Sequence, residues 1–591
     1  MKSKQNIFWL CILIVFSVAA LKGAVELGRI ALLEAKGPLD ADSTIYFTLG
    51  RAILNGFRLY TSDFFEVQPP GIFLLTATSL FITGDERLAT GFVVFAMVAL
   101  PVIIALFAAK ESRSADRLFR TTLTLLAFIL GVLITLYLEE RAPTIETQLF
   151  GAFFGALFTV AMAWYPGKFN IQWSLLCGLL LLLSIGMKEP FLITNLAAAT
   201  LLARDRRHFV HAFVLPLAIG GLIGIVVLFS LGILQPYVES LAITFTSRSG
   251  STSARVFGPL WFRQFAIYNL HQNMTSIYPA SPLFAYVIWV LWSFFPAYRG
   301  GEKVKVRSVS STLFFMVAFG AAAWIMEQTY EIFLLFYASF NHRAFQDPFF
   351  GQHAVMGFIW GLILFIPSAM HLYHRGLLRW LFLALFALAL TSLAVGISVY
   401  SGNHFAFAIP VYAAIILLFI QHSAVHAKVT PIFLAVSGVT VATMLLFVPN
   451  PKHMLYLQNR LGFTHTAQKE RIERLDSLMN NCGLERYYSE GMVELAMAKH
   501  SPWGPLIMHF DFIPPDHPLH VATAQNVFSY AQLLVTTEDY ENPFPPRTKD
   551  LVIAMLRQKI PQEFTKDPPP CAAPFVPMEG FTLWFRKDLQ R

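Results

Sequence analysis

Long apolar runs separated by short polar connections make up most of the chain. A helix of about 20 apolar residues crosses the roughly 30 Å hydrocarbon core of a bilayer. Such runs fall at 7–31, 87–109, 119–138, 147–164, 172–188, 190–204, 210–233, 281–297, 308–327, 352–372, 377–398, 404–421 and 428–447. Some are short. The fifth and sixth are parted only by a tight turn at Lys188-Glu189-Pro190, where Pro190 suits the first turn of a new helix. The run Ile332 to Phe340 is too short to span and reads as an interfacial or re-entrant helix. From about residue 449 prolines, charges and Asn become common and no run can span. Segments such as 506–510 and 532–537 read there as strands, and 469–479 and 548–558 as helices. The pattern predicts a mainly α protein. A polytopic transmembrane helical bundle of about 13 spans occupies residues 1–448, and a soluble extracytoplasmic α/β domain occupies 449–591.

One polar stretch stands out between the first two runs. The segment 32–86 contains Asp40, Asp42, Arg51, Arg58, Asp63 and Glu66, followed by Gln68-Pro69-Pro70-Gly71. After the prolines, about 13 apolar residues are too few to cross and suit a helix lying in the interface. Ser43 to Leu54 reads as a helix, with Asp42 or Ser43 as its cap.

Composition agrees with a lipid solvent. The chain is 56% hydrophobic and 14% charged, with 56 Phe, against about 25% charged residues in soluble proteins. The net charge of +8 comes from residues scattered in short loops, which excludes a nucleic-acid stripe. Those loops hold Lys110, Arg113, Arg117, Lys168, Arg204, Arg206, Arg207, Arg299, Lys303, Lys305, Arg307, Arg375, Arg379 and Lys428. The positive-inside rule then places the N-terminus in the cytoplasm and the tail outside. The first run, with Ala19-Ala20, has the features of a signal peptide. Its continued apolar character favours an uncleaved first span. Cys11 and Cys177 lie in apolar runs. Cys482 and Cys571 lie in the tail, where a disulfide and two free thiols both remain open.

The chemistry gathers at outer helix ends. Paired acids Asp40 and Asp42 suit a general base toward an acceptor hydroxyl or a divalent metal site, and spacing alone does not choose. Glu146 sits where an outer loop enters an apolar run, an expensive place for a carboxylate; Glu139, Glu140 and Arg141 suit a solvated helix end. Lys188 ends a span on the outer face and serves either as a snorkelling residue or as a point charge for a phosphate. Arg58, Arg248, Arg255 and Arg263 are further outer cations. Gln68 and His404 are polar residues at the mouths of apolar segments. No nucleotide-binding loop, GxSxG, HExxH or Cys/His cluster is present, so an activated donor must carry the energy.

These residues resemble a family. The pattern Asp42-x-x-x-Tyr46, Ala52-Ile-Leu-x-Gly56 and Tyr60-x-x-Asp63-Phe-Phe-Glu66-x-Gln68-Pro-Pro resembles the first extracytoplasmic loop of bacterial membrane glycosyltransferases of the C-type fold. These are similar to protein O-mannosyltransferases and the lipid A aminoarabinose transferase. Glu146 in Ala-Pro-Thr-Ile-Glu, Lys188 in Gly-Met-Lys, and Asn403-His404 with Pro410 follow in the family's order. The resemblance implies a polyprenyl-phosphate sugar donor and transfer, with inversion, to a lipid, glycan or protein on the outer face of a bacterial inner membrane. It aligns Asp42 with the catalytic acid, with Asp40 second and Glu146 as the second acidic position. Tyr46, Glu66, Gln68, Lys188, Arg263 and His404 are then expected to bind donor phosphate or substrate. Ser43 stands where relatives often carry Glu, and Gln68 where they often carry Lys, which moves the phosphate-holding role toward Lys188. No cofactor is firmly implied, and a divalent metal remains open. The rival is a lipid or solute transporter, which predicts mid-span charges and broken helices in two related halves; no such repeat is present. A third reading is an assembly subunit with the tail as its partner-binding domain.

Overall fold

The computed structural model describes residues 2–36, 41–61, 68–113, 115–137, 147–243, 409–425, 465–489, 501–503, 529–537, 560–573 and 581–590, with a few isolated positions between them. The predicted runs at 281–297, 308–327, 352–372 and 377–398, the segment 332–340, and nearly all of 428–447 lie outside these residues. So does the boundary between 448 and 449.

The membrane part is helical. Helix α1 is Lys2–Lys36, α2 Ala41–Leu54, α3 Gly71–Thr83, α4 Arg87–Glu111, α5 Arg117–Tyr137, α6 Thr147–Trp164, α7 Ile171–Met187 and α8 Phe191–Leu202. Helix α9 is Arg206–Ser230, α10 spans residues 234–243, and α11 is Ile409–Val425. Among the described residues, five helices are long and apolar enough to cross a membrane.

The observed bounds correct several expectations. Helix α1 runs from Lys2 to Lys36, past both predicted ends of the run at 7 and 31. The sixth run forms a helix of only 12 residues, about 18 Å long, too short to cross alone. It still carries the chain back across the bundle. Gly151 faces Phe191, Gly155 faces Asn195, and the Arg204 guanidinium donates to the Ala163 carbonyl at 2.9 Å, so α8 runs parallel to α6. The seventh run begins earlier than predicted, at Arg206. Asp205 caps it by accepting from the His208 N–H at 2.8 Å. A π-turn at Val210–Val214 precedes Pro216, whose missing N–H and ring make the regular ladder untenable there.

Small residues allow close helix contacts where no hydrophobic force separates helix from lipid. A Cβ on Gly131 would meet the Pro101 backbone, and one on Gly178 the Pro216 carbonyl, each within about 2.7 Å. Ser184 donates to the Gly151 carbonyl at 2.7 Å, and Asn195 donates to Ser184 at 3.0 Å. Both side chains are fully buried.

These contacts sort the helix ends. Trp9 of α1 meets Phe119 at the start of α5, Lys110 at the end of α4 lies over Trp164 at the end of α6, and Tyr165 bonds Ser174 and packs on His208. One end of the bundle therefore holds Lys110, Arg113, Arg117, Lys168, Arg204, Arg206 and Arg207. The other holds α2, α3, the α7–α8 turn and α10.

The tail carries helix α12, His465–Asn481, and a five-stranded sheet ordered β2-β1-β3-β5-β4. Its strands are β1 Arg486–Ser489, β2 Ser501–Trp503, β3 Leu533–Thr537, β4 Phe564–Thr565 and β5 Phe581–Arg586. Strands β1 and β2, and β1 and β3, pair in parallel; β5 runs antiparallel to β3 and β4. Leu475, Met479, Tyr487, Leu533, Val535 and Phe585 form its core. Cys482 and Cys571 are disulfide-bonded, which closes one of the two possibilities left by the sequence. Helix α12 and β3 occur where the sequence placed them; 506–510 and nearly all of 548–558 lie outside the described residues.

Candidate active site

The site grows from the end of the bundle opposite the basic loops. Helix α2 starts at Ala41, so Asp42 and Ser43 lie in its first turn and neither is its cap. A carboxylate there gains from the partial positive charge of the helix start. Ser43 is fully buried, and its hydroxyl donates instead to the Ile145 carbonyl at 3.4 Å. This bond spans 102 residues and joins the neighbour of Asp42 to the neighbour of Glu146. The start of α2 is therefore tied to Ile145, just ahead of α6.

Helix α3 locks this arrangement. Thr76 donates to the Tyr46 carbonyl at 2.7 Å, and a Cβ on Gly50 would lie 2.7 Å from the Ala77 nitrogen, so α2 and α3 touch backbone to backbone. Tyr46 is buried with its ring 6.0 Å from Phe73. The break at Pro69-Pro70 ends on Gly71, where a side chain would collide with the Gly186 carbonyl at the end of α7. Gln68 lies three residues before this contact and Lys188 two residues after it. Lys188 caps α7 in an extended conformation, and its ammonium lies 5.9 Å from the centre of the Phe407 ring. Phe407 packs on Phe191 at 4.7 Å, which places Phe407 beside the α7–α8 turn.

The placement of the expected residues is therefore uneven. Tyr46, Gln68 and Lys188 are described and lie at this end of the bundle. The side chain of Asp42 and the whole of Asp40, Asp63, Glu66, Glu146, Arg263 and His404 lie outside the described residues. Among the described residues, no three His, Cys, Asp or Glu side chains group as metal ligands. Tyr60, which belongs to the first-loop motif, sits here with two residues given no role from sequence, Tyr237 and Glu189. The Tyr60 hydroxyl donates to the Gln68 carbonyl at 2.7 Å, Tyr60 packs on Tyr237 at 5.0 Å, and the Tyr237 hydroxyl donates to Glu189 at 3.3 Å. The sequence signals were the place of Tyr60 in the first-loop motif and the adjacency of Glu189 to Lys188; nothing marked Tyr237.

The tail domain meets the other end of α2. Arg51 projects toward α12 and β1. Burial lowers its pKa, while Tyr487 and Asp476 act in the opposite sense. Phe57 packs edge-on against Tyr530 at 5.1 Å, and the Arg486 guanidinium lies 5.3 Å from the same ring.

Two solved structures align with much of the chain at low identity. The oligosaccharyltransferase of Archaeoglobus fulgidus, solved with zinc and sulfate, is 13% identical at a TM-score of 0.36; the match covers 89% of this chain and 68% of that one. ArnT from Cupriavidus metallidurans bound to undecaprenyl phosphate is 12% identical at a TM-score of 0.34, covering 99% and 98%. No protein-family model and no curated protein sequence matches the chain.

Proposed function

We propose that the chain is an integral membrane glycosyltransferase of the C-type fold. It moves a sugar from a polyprenyl-phosphate donor to a lipid, glycan or protein acceptor on the outer face of a bacterial inner membrane. The observation that supports this reading is the Ser43–Ile145 bond, which ties the residue after Asp42 to the residue before Glu146. The Gly71–Gly186 contact supports it by joining the segment that follows Gln68 to the end of α7, which Lys188 caps.

In this reading Asp42 takes the proton of the acceptor hydroxyl as its oxygen attacks the anomeric carbon from the face opposite the phosphate. The bond to the polyprenyl phosphate breaks and the sugar inverts. Lys188 receives the charge that develops on the departing phosphate, an interaction strengthened by the low dielectric of its surroundings. The apolar flanks of α4, α7 and α9 suit a lipid tail. Glu146 holds the second acidic place, as acid partner or metal ligand. The cytoplasmic N-terminus follows from the basic loops at the far end of the bundle. The disulfide at Cys482–Cys571 suits an extracytoplasmic tail.

Asp42→Asn is expected to cut sugar transfer by about 10²–10⁴-fold while insertion and folding persist. Transfer at the wild-type rate by that variant sinks the proposal. A transporter tolerates the substitution in a transfer assay, because it has no transfer to lose.

A further inference from the structure

Three segments far apart in sequence meet at Tyr237. Its ring packs on Tyr60 of the first loop, and its hydroxyl donates to Glu189 of the α7–α8 turn. Tyr60 in turn donates to the Gln68 carbonyl. Its backbone lies at φ 64°, and among the described residues it is the one non-glycine residue in the left-handed region. That conformation costs a bulky residue free energy and persists only where its surroundings over-determine it. Here they do: Tyr60 is 5% exposed, and both its ring and its hydroxyl are engaged. Burial first, then the charge and hydrogen bond of Glu189, push the Tyr237 phenol well up from its ordinary value, so it keeps its proton and remains a donor. The loop is therefore bent at a strained residue, and the bend is fastened to the turn that bears Lys188.

We propose that Tyr237 is a positioning residue: through Glu189 on one side and Tyr60 on the other, it fixes the Gln68–Gly71 segment at the α7–α8 turn that receives the donor phosphate. This rests on the donor reading above. Without the latch, the strain at Tyr60 relaxes and Gln68 withdraws from the neighbourhood of Lys188. The Gly71–Gly186 contact keeps the end of the segment in place, so the change is local and the bundle stays folded.

The test is equilibrium binding of undecaprenyl phosphate to the full chain in nanodiscs. Tyr237→Phe keeps the ring on Tyr60 and removes only the hydrogen bond to Glu189. It is expected to weaken binding about tenfold, the scale of a lost bond to a carboxylate, with the melting temperature essentially unchanged. Tyr60→Phe is expected to act similarly. The double variant should be no weaker than about twofold below either single one, since both act through one segment. Glu189→Gln retains an acceptor and should keep most of the affinity, whereas Glu189→Leu should not. Wild-type affinity in Tyr237→Phe overturns the proposal.

A second readout needs no ligand. With Cys11→Ser removing the other exposed thiol, maleimide labelling of Gln68→Cys should accelerate severalfold when Tyr237→Phe is added. An unchanged labelling rate overturns the latch. Absence of undecaprenyl-phosphate binding to the wild type overturns the donor reading, and labelling then decides the latch separately.

Discussion

Gly71 shows how one missing side chain sets the geometry of the site. A methyl group there would run into the Gly186 carbonyl, and the obstacle is backbone, which cannot rotate away. Gly71→Ala must therefore push α3 off the end of α7. The expected cost is about 1–3 kcal/mol, in the range for overpacking, seen as a lower melting temperature. Donor affinity should fall with it, because the Pro69-Pro70-Gly71 break carries Gln68. Gly84→Ala is a useful contrast: its Cβ meets open space, and its penalty comes only from its φ of 76° at the C-terminus of α3. At this scale the sequence was informative about chemistry and poor about partners. Asp42, Gln68 and Lys188 stood out because charged and polar residues are expensive beside lipid. Nothing in the spacing showed that Gly71 would touch Gly186, or that Tyr237 would reach Glu189 across 48 residues. Such pairs depend on how helices cross, which no local pattern encodes.

Helix α2 links the two parts of the chain. Its first turn holds Asp42 and its last turn holds Arg51, which faces the tail domain. Nine residues separate them, about half a turn beyond two full turns, so they lie on opposite faces. The tail domain can therefore grip α2 without obstructing Asp42. Arg51→Ala is expected to loosen that grip: amide exchange in α2 should rise, and the interface should lose about 1–3 kcal/mol, as for a partly buried cation with polar neighbours. Phe57→Ala should act the same way through Tyr530. Unchanged exchange in both variants would show that the two parts are independent. The start of α2 also marks a limit of sequence reading. Asp42 and Ser43 look like capping residues, but the helix begins at Ala41 and Ser43 is taken by the Ile145 carbonyl. A long-range partner overrode the local preference.

Over the whole molecule, charge and oxidation state separate the two ends. Basic residues cluster at one end of the bundle, and the site and tail domain lie at the other. The apolar runs were legible because a 3.6-residue helix in lipid needs little more than length and hydropathy. The sixth run holds a helix of only 12 residues, shorter than a full span, which still carries the chain back across the bundle. The disulfide was legible only as one of two options, since proximity is a property of the fold. It closes a loop with a sequence separation of 89, for which chain entropy gives roughly 4–5 kcal/mol of stabilisation. Cys482→Ser should therefore lower the melting temperature of the tail domain markedly, and a reducing agent should do the same to the wild type. If neither changes it, the pairing does not matter to the fold.

The most direct measurement is mass spectrometry of the lipids that co-purify with wild-type protein and with Asp42→Asn. A variant that binds its donor and cannot use it should retain a polyprenyl-phosphate sugar, whose mass names the sugar. The wild type should carry less of that donor and more free polyprenyl phosphate. If neither preparation holds a polyprenyl-phosphate lipid, or if both hold the same sugar-bearing species in the same proportion, Asp42 is not the residue that turns the donor over.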